Sequence, residues 1–149
     1  MTDCPFCHVV SGALPARTLR EDAATVAFLD TAPASRGHTL VVPRTHVVDL
    51  WHAEAEVMAD VARTAHAVAA LLRARLRPDG LTLRQNNGAA SGQKVDHLHL
   101  HLVPRWHGDG TVGWPWPPPQ DLDLDALHDE LTRTPGEGGG HPGRGARDP

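Results

Sequence analysis

Cysteine is nearly missing from this sequence. Cys4 and Cys7, spaced C-x-x-C, are the only two in 149 residues, and no structural disulfide is expected of them in a reducing compartment. No apolar run approaches the roughly 20 residues that span a bilayer, so no membrane partner is expected. The first residues, MTDCPFCHVV, lack a charged stretch followed by an apolar one. A secretory leader is therefore not expected, and a cytoplasmic location is. Basic surplus is absent too: 14 Lys and Arg stand against 18 Asp and Glu, for a net charge of −4. Nucleic-acid binders usually carry the opposite balance, which argues against nucleic acid as a partner. No internal repeat is present.

What is there fits one soluble domain. Hydrophobic residues make up 40% and charged residues 21%, which is ordinary for a globular chain of this length. The domain is expected over residues 1–133. Within it, residues 114–133 hold a Trp/Pro-rich arm, GWPWPPPQ, and a short acidic helix with Leu124, Leu127 and Leu131 on one face. Residues 134–149 have almost nothing apolar and are expected to be a disordered tail.

The elements can be placed by periodicity. Strands are expected over residues 17–21, 25–30, 38–43 and 81–86. Between the third and fourth, residues 52–77 predict one long helix with Val57, Val61, Ala65, Val68 and Leu72 on its apolar stripe. Pro78-Asp79-Gly80 ends it. Trp51 begins this helix and is expected in the core. This order predicts an α+β fold with a mainly antiparallel sheet.

The fifth expected strand is DHLHLHLVPR, residues 96–105. Strand alternation puts His97, His99 and His101 on one face, about 6.5–7 Å apart, and Leu98, Leu100 and Leu102 on the other. The imidazoles could all bind metal, could divide nucleophilic and orienting roles, or could form a solvated face.

PASRGHTLVVPRTHVVDL (33–50) and NNGAASGQKVDHLHLHLVPR together resemble the histidine triad superfamily, whose signature alternates histidine with apolar residues. CPFCHVVSGALPARTLRED and FLD resemble its opening, and the likeness to the bacterial Hint-like branch spans roughly residues 4–110. The resemblance implies a five-stranded antiparallel sheet, a long helix, and a homodimer whose sheets join. It implies hydrolysis at the α-phosphate of nucleoside phosphoramidates or other adenylated compounds, so a purine nucleotide substrate. Diadenosine polyphosphates are the alternative substrate within the superfamily. A zinc-dependent hydrolase using His97, His99 and His101, and a nucleotide-binding module without turnover, are the competing classes.

The same resemblance assigns residues. His99 matches the nucleophile that forms a nucleotidyl-histidine, held in one tautomer by a main-chain carbonyl. His101 and His38 match histidines near the phosphate, and Asn86 a residue contacting the nucleophile or bridging atom. Gly92 and Gln93 match a phosphate-facing turn, Asp30 the ribose acceptor and Phe28 the base pocket. Lys94 stands where many members carry Ser or Thr, and it could meet phosphate charge or face solvent. Cys4 and Cys7 supply two of the four N/S ligands that zinc needs, and His46 and His97 match the other two of a structural Zn²⁺ site. His8 is a rival ligand, and two free thiols at a frayed terminus are the plainer outcome. Trp106, Trp114 and Trp116 could shape a pocket or simply pack.

Overall fold

The structure is a computed structural model, and it describes residues 3–110 and 118–136. The chain opens with a helix, α1 (Pro5–Ser11), that periodicity did not indicate. Its signals were local: proline in the first turn, and Gly12 in the left-handed region at φ 79° as the C-cap. Three strands follow, β1 (Thr18–Glu21), β2 (Thr25–Leu29) and β3 (Thr39–Pro43). Then come the long helix α2 (Ala55–Leu76), β4 (Gly80–Gln85), a 3₁₀ turn at Ala89–Ser91, β5 (Leu100–Arg105) and α3 (Leu124–Thr132).

The strands form one antiparallel sheet in the order β1-β2-β3-β5-β4. β2 and β3 are buried at every position, because both sheet faces are covered. On one face Ala27, Leu29, Val41, Leu100 and Leu102 meet Val61, Ala65, Val68 and Leu72 of α2. Leu127 and Leu131 of α3 close the same core. On the other face Val26, Phe28, Leu40 and Val42 meet Phe6, Val9 and Val10 of α1. Each fully buried leucine or valine contributes about 1.5–3 kcal/mol by leaving water.

The histidine segment departs from expectation. β5 starts at Leu100, so only His101 lies in the strand; His97 and His99 precede it. The cause lies in the partner strands. Pairing with both neighbours stops at Leu100, at Val41 of β3 and at Gln85 of β4. Before that point the chain leans on residue 47 instead, with Leu98 N–H donating to the Val47 carbonyl at 2.7 Å. Alternation persists without the ladder, and Leu98 is fully buried in the α2-side core.

Trp51 is also misplaced by the sequence reading. α2 begins only at Ala55, so Trp51 sits on the preceding loop and is 77% exposed. Trp106 is partly buried against the main core. Trp114, Trp116 and the tail from residue 137 lie outside the described residues. Among the described residues, no helix is long and apolar enough to cross a membrane.

Candidate active site

A cleft of about 710 Å³ opens on the α1 side of the sheet. Strand register arranges its floor. Phe28 pairs with Leu40, Leu40 with His101, and His101 with Arg84. Directly opposed residues share a face, so these four form one rung across β2, β3, β5 and β4, and all four line the cleft.

The hydrogen bonds around the histidines assign their protons. Ala34 N–H donates to His38 Nδ1 at 2.9 Å. A neutral His38 then carries its hydrogen on Nε2, which donates to His101 Nδ1 at 3.0 Å. His101 in turn holds its own hydrogen on Nε2. Both rings stay neutral, because burial lowers His38 to about 4 and His101 to about 3. Asp30 Oδ2 lies 3.5 Å from His38 Nε2, while Asp30 Oδ1 accepts from Ala32 N–H at 2.8 Å.

His99 is fixed differently. Its Nδ1–H donates to the His97 carbonyl at 2.7 Å, which leaves the lone pair on Nε2. Burial lowers its pKa, opposed by that hydrogen bond and by the Asp30 charge. A neutral imidazole with one nitrogen tied back and the other unprotonated can act as a nucleophile. Phe6 packs edge-on against it, ring centroids 5.2 Å apart.

A second cluster lies beside the cleft. Cys4, Cys7, His46 and His97 bring their ligand atoms within 4.8 Å of one another. His97 Nε2–H donates to the Pro43 carbonyl at 2.9 Å, which turns its Nδ1 lone pair inward. That Nδ1 is 3.5 Å from Cys4 Sγ, 3.6 Å from Cys7 Sγ and 3.3 Å from His46 Nδ1. Cys7 Sγ is 3.2 Å from His46 Nδ1. A tetrahedral zinc with Zn–S of about 2.3 Å and Zn–N of about 2.0–2.1 Å has edges of about 3.3–3.4 Å between nitrogens and about 3.6 Å between sulfur and nitrogen. The donor set fits that ion in type, number and spacing. His8 is not in the cluster; it pairs with Asp3 at 3.4 Å.

The three triad histidines do not converge on one ion. His97 belongs to the cysteine cluster, His101 groups with Asp30 and His38, and His99 is in neither. The His38 hydrogen faces His101, which leaves no lone pair there for a metal in the second group.

The remaining expected residues divide. Asn86, Gly92 and Lys94 line the cleft. Gln93 does not. Its Oε1 accepts from Gly88 N–H, its Nε2 donates to the Val48 and Val95 carbonyls, and its own N–H goes to the Gly88 carbonyl. The Gly92 N–H is likewise spent on the Ala89 carbonyl. These two residues build the turn rather than present donors to a phosphate.

Residues not anticipated from sequence include Phe6, Arg84, Pro118 and Pro119, all lining the cleft. Gln120 N–H donates to the Pro33 carbonyl at 2.9 Å and holds those prolines in place. Arg84 is the one charged residue of β4, and its place in the site comes from pairing with His101.

Comparison with known proteins decides the family. The HIT domain family model matches residues 11–108. The chain belongs to the histidine triad family. Among HIT relatives, the adenosine 5'-monophosphoramidase of Schizosaccharomyces pombe is 36% identical over 132 residues, covering 87% of this chain and 96% of that protein. The adenosine 5'-monophosphoramidase of Saccharomyces cerevisiae is 35% identical over 133 residues, covering 86% and 80%. A zinc-bound histidine triad protein from Mycobacterium smegmatis has a similar structure, with a TM-score of 0.79 and 38% identity over 87% of this chain and 91% of that one.

Proposed function

We propose that this HIT protein hydrolyses nucleoside phosphoramidates or related adenylated compounds at the α-phosphorus through His99. The observation that carries the reading is the bond from His99 Nδ1–H to the His97 carbonyl at 2.7 Å, which keeps Nε2 unprotonated in the cleft. The two monophosphoramidase relatives support the substrate class.

In the first step Nε2 of His99 attacks the α-phosphorus. The bond to the leaving nitrogen or oxygen breaks, and its electron pair departs with that atom; an amine takes a proton from water. His101, protonated on Nε2 through the Ala34–His38 relay, donates to a phosphate oxygen as charge builds there. In the second step water attacks the phosphorus of the nucleotidyl-His99 and loses a proton to solvent, while the phosphorus–Nε2 bond breaks and its electron pair returns to Nε2. Nucleoside monophosphate is released and His99 returns to its neutral form. Phe28 and Phe6, 5.7 Å apart edge to face, wall the base end, and Asp30 accepts from the ribose.

Zinc would be held by Cys4, Cys7, His46 and His97. There it supplies structural cross-linking, tying α1 to the segments before α2 and β5, and takes no part in the chemistry. The reading also has two chains pairing through β4, the sheet edge where Leu81 and Leu83 are 39% and 57% exposed; light scattering in solution tests that. The activity is tested by a substrate panel read as released nucleoside monophosphate. Release from adenosine phosphoramidate supports the reading, and no release from any adenylated compound defeats it.

A further inference from the structure

We propose that Arg84 forms a leaving-group subsite, and that it favours substrates whose leaving group is itself a phosphate-bearing anion over those that expel a neutral amine. The inference rests on the proposed reaction at His99 and names the substrates that the site prefers.

Order along the rung comes first. Phe28, Leu40, His101 and Arg84 occupy successive strands on one face. At about 4.8 Å per strand, Arg84 lies about 5 Å beyond His101 and about 14 Å from Phe28. A nucleotide with its base at Phe28 and its α-phosphate at His99 and His101 therefore points its next group at Arg84.

Charge comes second. Asp30 is the only carboxylate among the described residues lining the cleft; it follows β2, the strand of Phe28, and its carboxylate lies against His38. Arg17, Arg84 and Lys94 also line the cleft. Arg17 is committed to Asp125 at 2.7 Å. His38 and His101 are neutral, so the fixed positive charge on the rung is that of Arg84, in a chain whose net charge is −4.

Chemistry comes third. Arg84 is half-buried and oriented by Asn86, whose Oδ1 accepts from its Nε at 2.8 Å. A guanidinium is a planar fork of N–H donors whose geometry suits phosphate oxygens. As the bond from the α-phosphorus to a bridging oxygen breaks, the electron pair stays on that oxygen, and a fixed cation beside it stabilises the new charge. A departing amine ends neutral or protonated and gains nothing there.

The test compares ADP with AMP by isothermal titration calorimetry in wild-type protein, R84K and R84L, with each variant's fold checked by circular dichroism. Wild type is expected to prefer ADP by about tenfold or more, as for a charge-assisted phosphate contact. R84L should bring the two affinities within about twofold, and R84K should retain part of the preference. An ADP preference unchanged in R84L overturns the subsite. If R84L does not fold, R84Q gives the same readout. Turnover of diadenosine triphosphate and of adenosine phosphoramidate is measured alongside, and R84L should lose more on the first than on the second. The two readings fail separately. Arg84-dependent ADP preference without hydrolysis of either compound removes the enzymatic reading alone, whereas hydrolysis with an Arg84-independent preference removes the subsite alone.

Discussion

His38 Nε2 lies 3.0 Å from His101 Nδ1, and Ala34 N–H binds the opposite nitrogen of His38 at 2.9 Å. One backbone donor thus sets the proton on two imidazoles in series. Removing the end of this relay should cost rate: His101→Ala is expected to lower kcat by about 10²–10³, the usual loss for one donor to a developing charge. His38→Ala should cost less, since His101 remains but its tautomer is no longer imposed. Steady-state kinetics on adenosine phosphoramidate check both; an unchanged kcat in His101→Ala contradicts the role.

Burying two neutral histidines makes the fold acid-sensitive. Their folded pKa values are about 4 and about 3, below the ordinary 6.5. The unfolded chain binds more protons between these limits, so stability is full above pH 6.5 and falls as pH drops toward 4 and then 3. Each imidazole contributes at most roughly 1.4 kcal/mol per pH unit. Urea midpoints between pH 7 and 4.5 should fall more steeply for wild type than for His101→Asn. Parallel slopes would contradict the assignment.

The cysteine cluster predicts metal dependence of structure. Without a cation, burial and the neighbouring Cys4 raise the Cys7 thiol above its ordinary pKa; a bound zinc reverses this by taking the thiolate. Purified wild type should carry one zinc per chain, and Cys4→Ser should lose it together with several degrees of melting temperature. Elemental analysis is decisive here: unchanged stoichiometry in Cys4→Ser removes the site.

Gly37, just before His38, has φ +87°, and a Cβ there would sit 2.5 Å from Leu76 Cδ1 and 3.2 Å from the Pro104 side chain. Gly37→Ala should destabilise by about 1–3 kcal/mol through backbone strain and overpacking. The urea midpoint measures it, and a value within error of wild type would contradict the close approach.

Much of this was legible in the chain. β-branched runs at residues 25–29 and 39–43 marked the two buried strands, and the Val61, Ala65, Val68, Leu72 spacing marked the buried stripe of α2. Histidine alternation correctly separated Leu98, Leu100 and Leu102 into the core. Local pattern could not show where β5 begins, because that depends on where its pairing with β3 and β4 stops, at Val41 and Gln85. Nor could it show that Gln93 spends its donors within its own loop, since Val48 lies 45 residues away. Arg84 acquired meaning only through its register with His101, and Trp51 was misread because the start of α2 was set too early.

The central claim is that His99 Nε2 attacks phosphorus. It is tested most directly by rapid quenching of wild-type protein with adenosine phosphoramidate, followed by intact mass and peptide mapping. The account predicts a transient adenylyl adduct on the peptide containing His99, with neither adduct nor turnover in His99→Ala that still binds AMP. An adduct on another residue, or hydrolysis by His99→Ala at the wild-type rate, would contradict it.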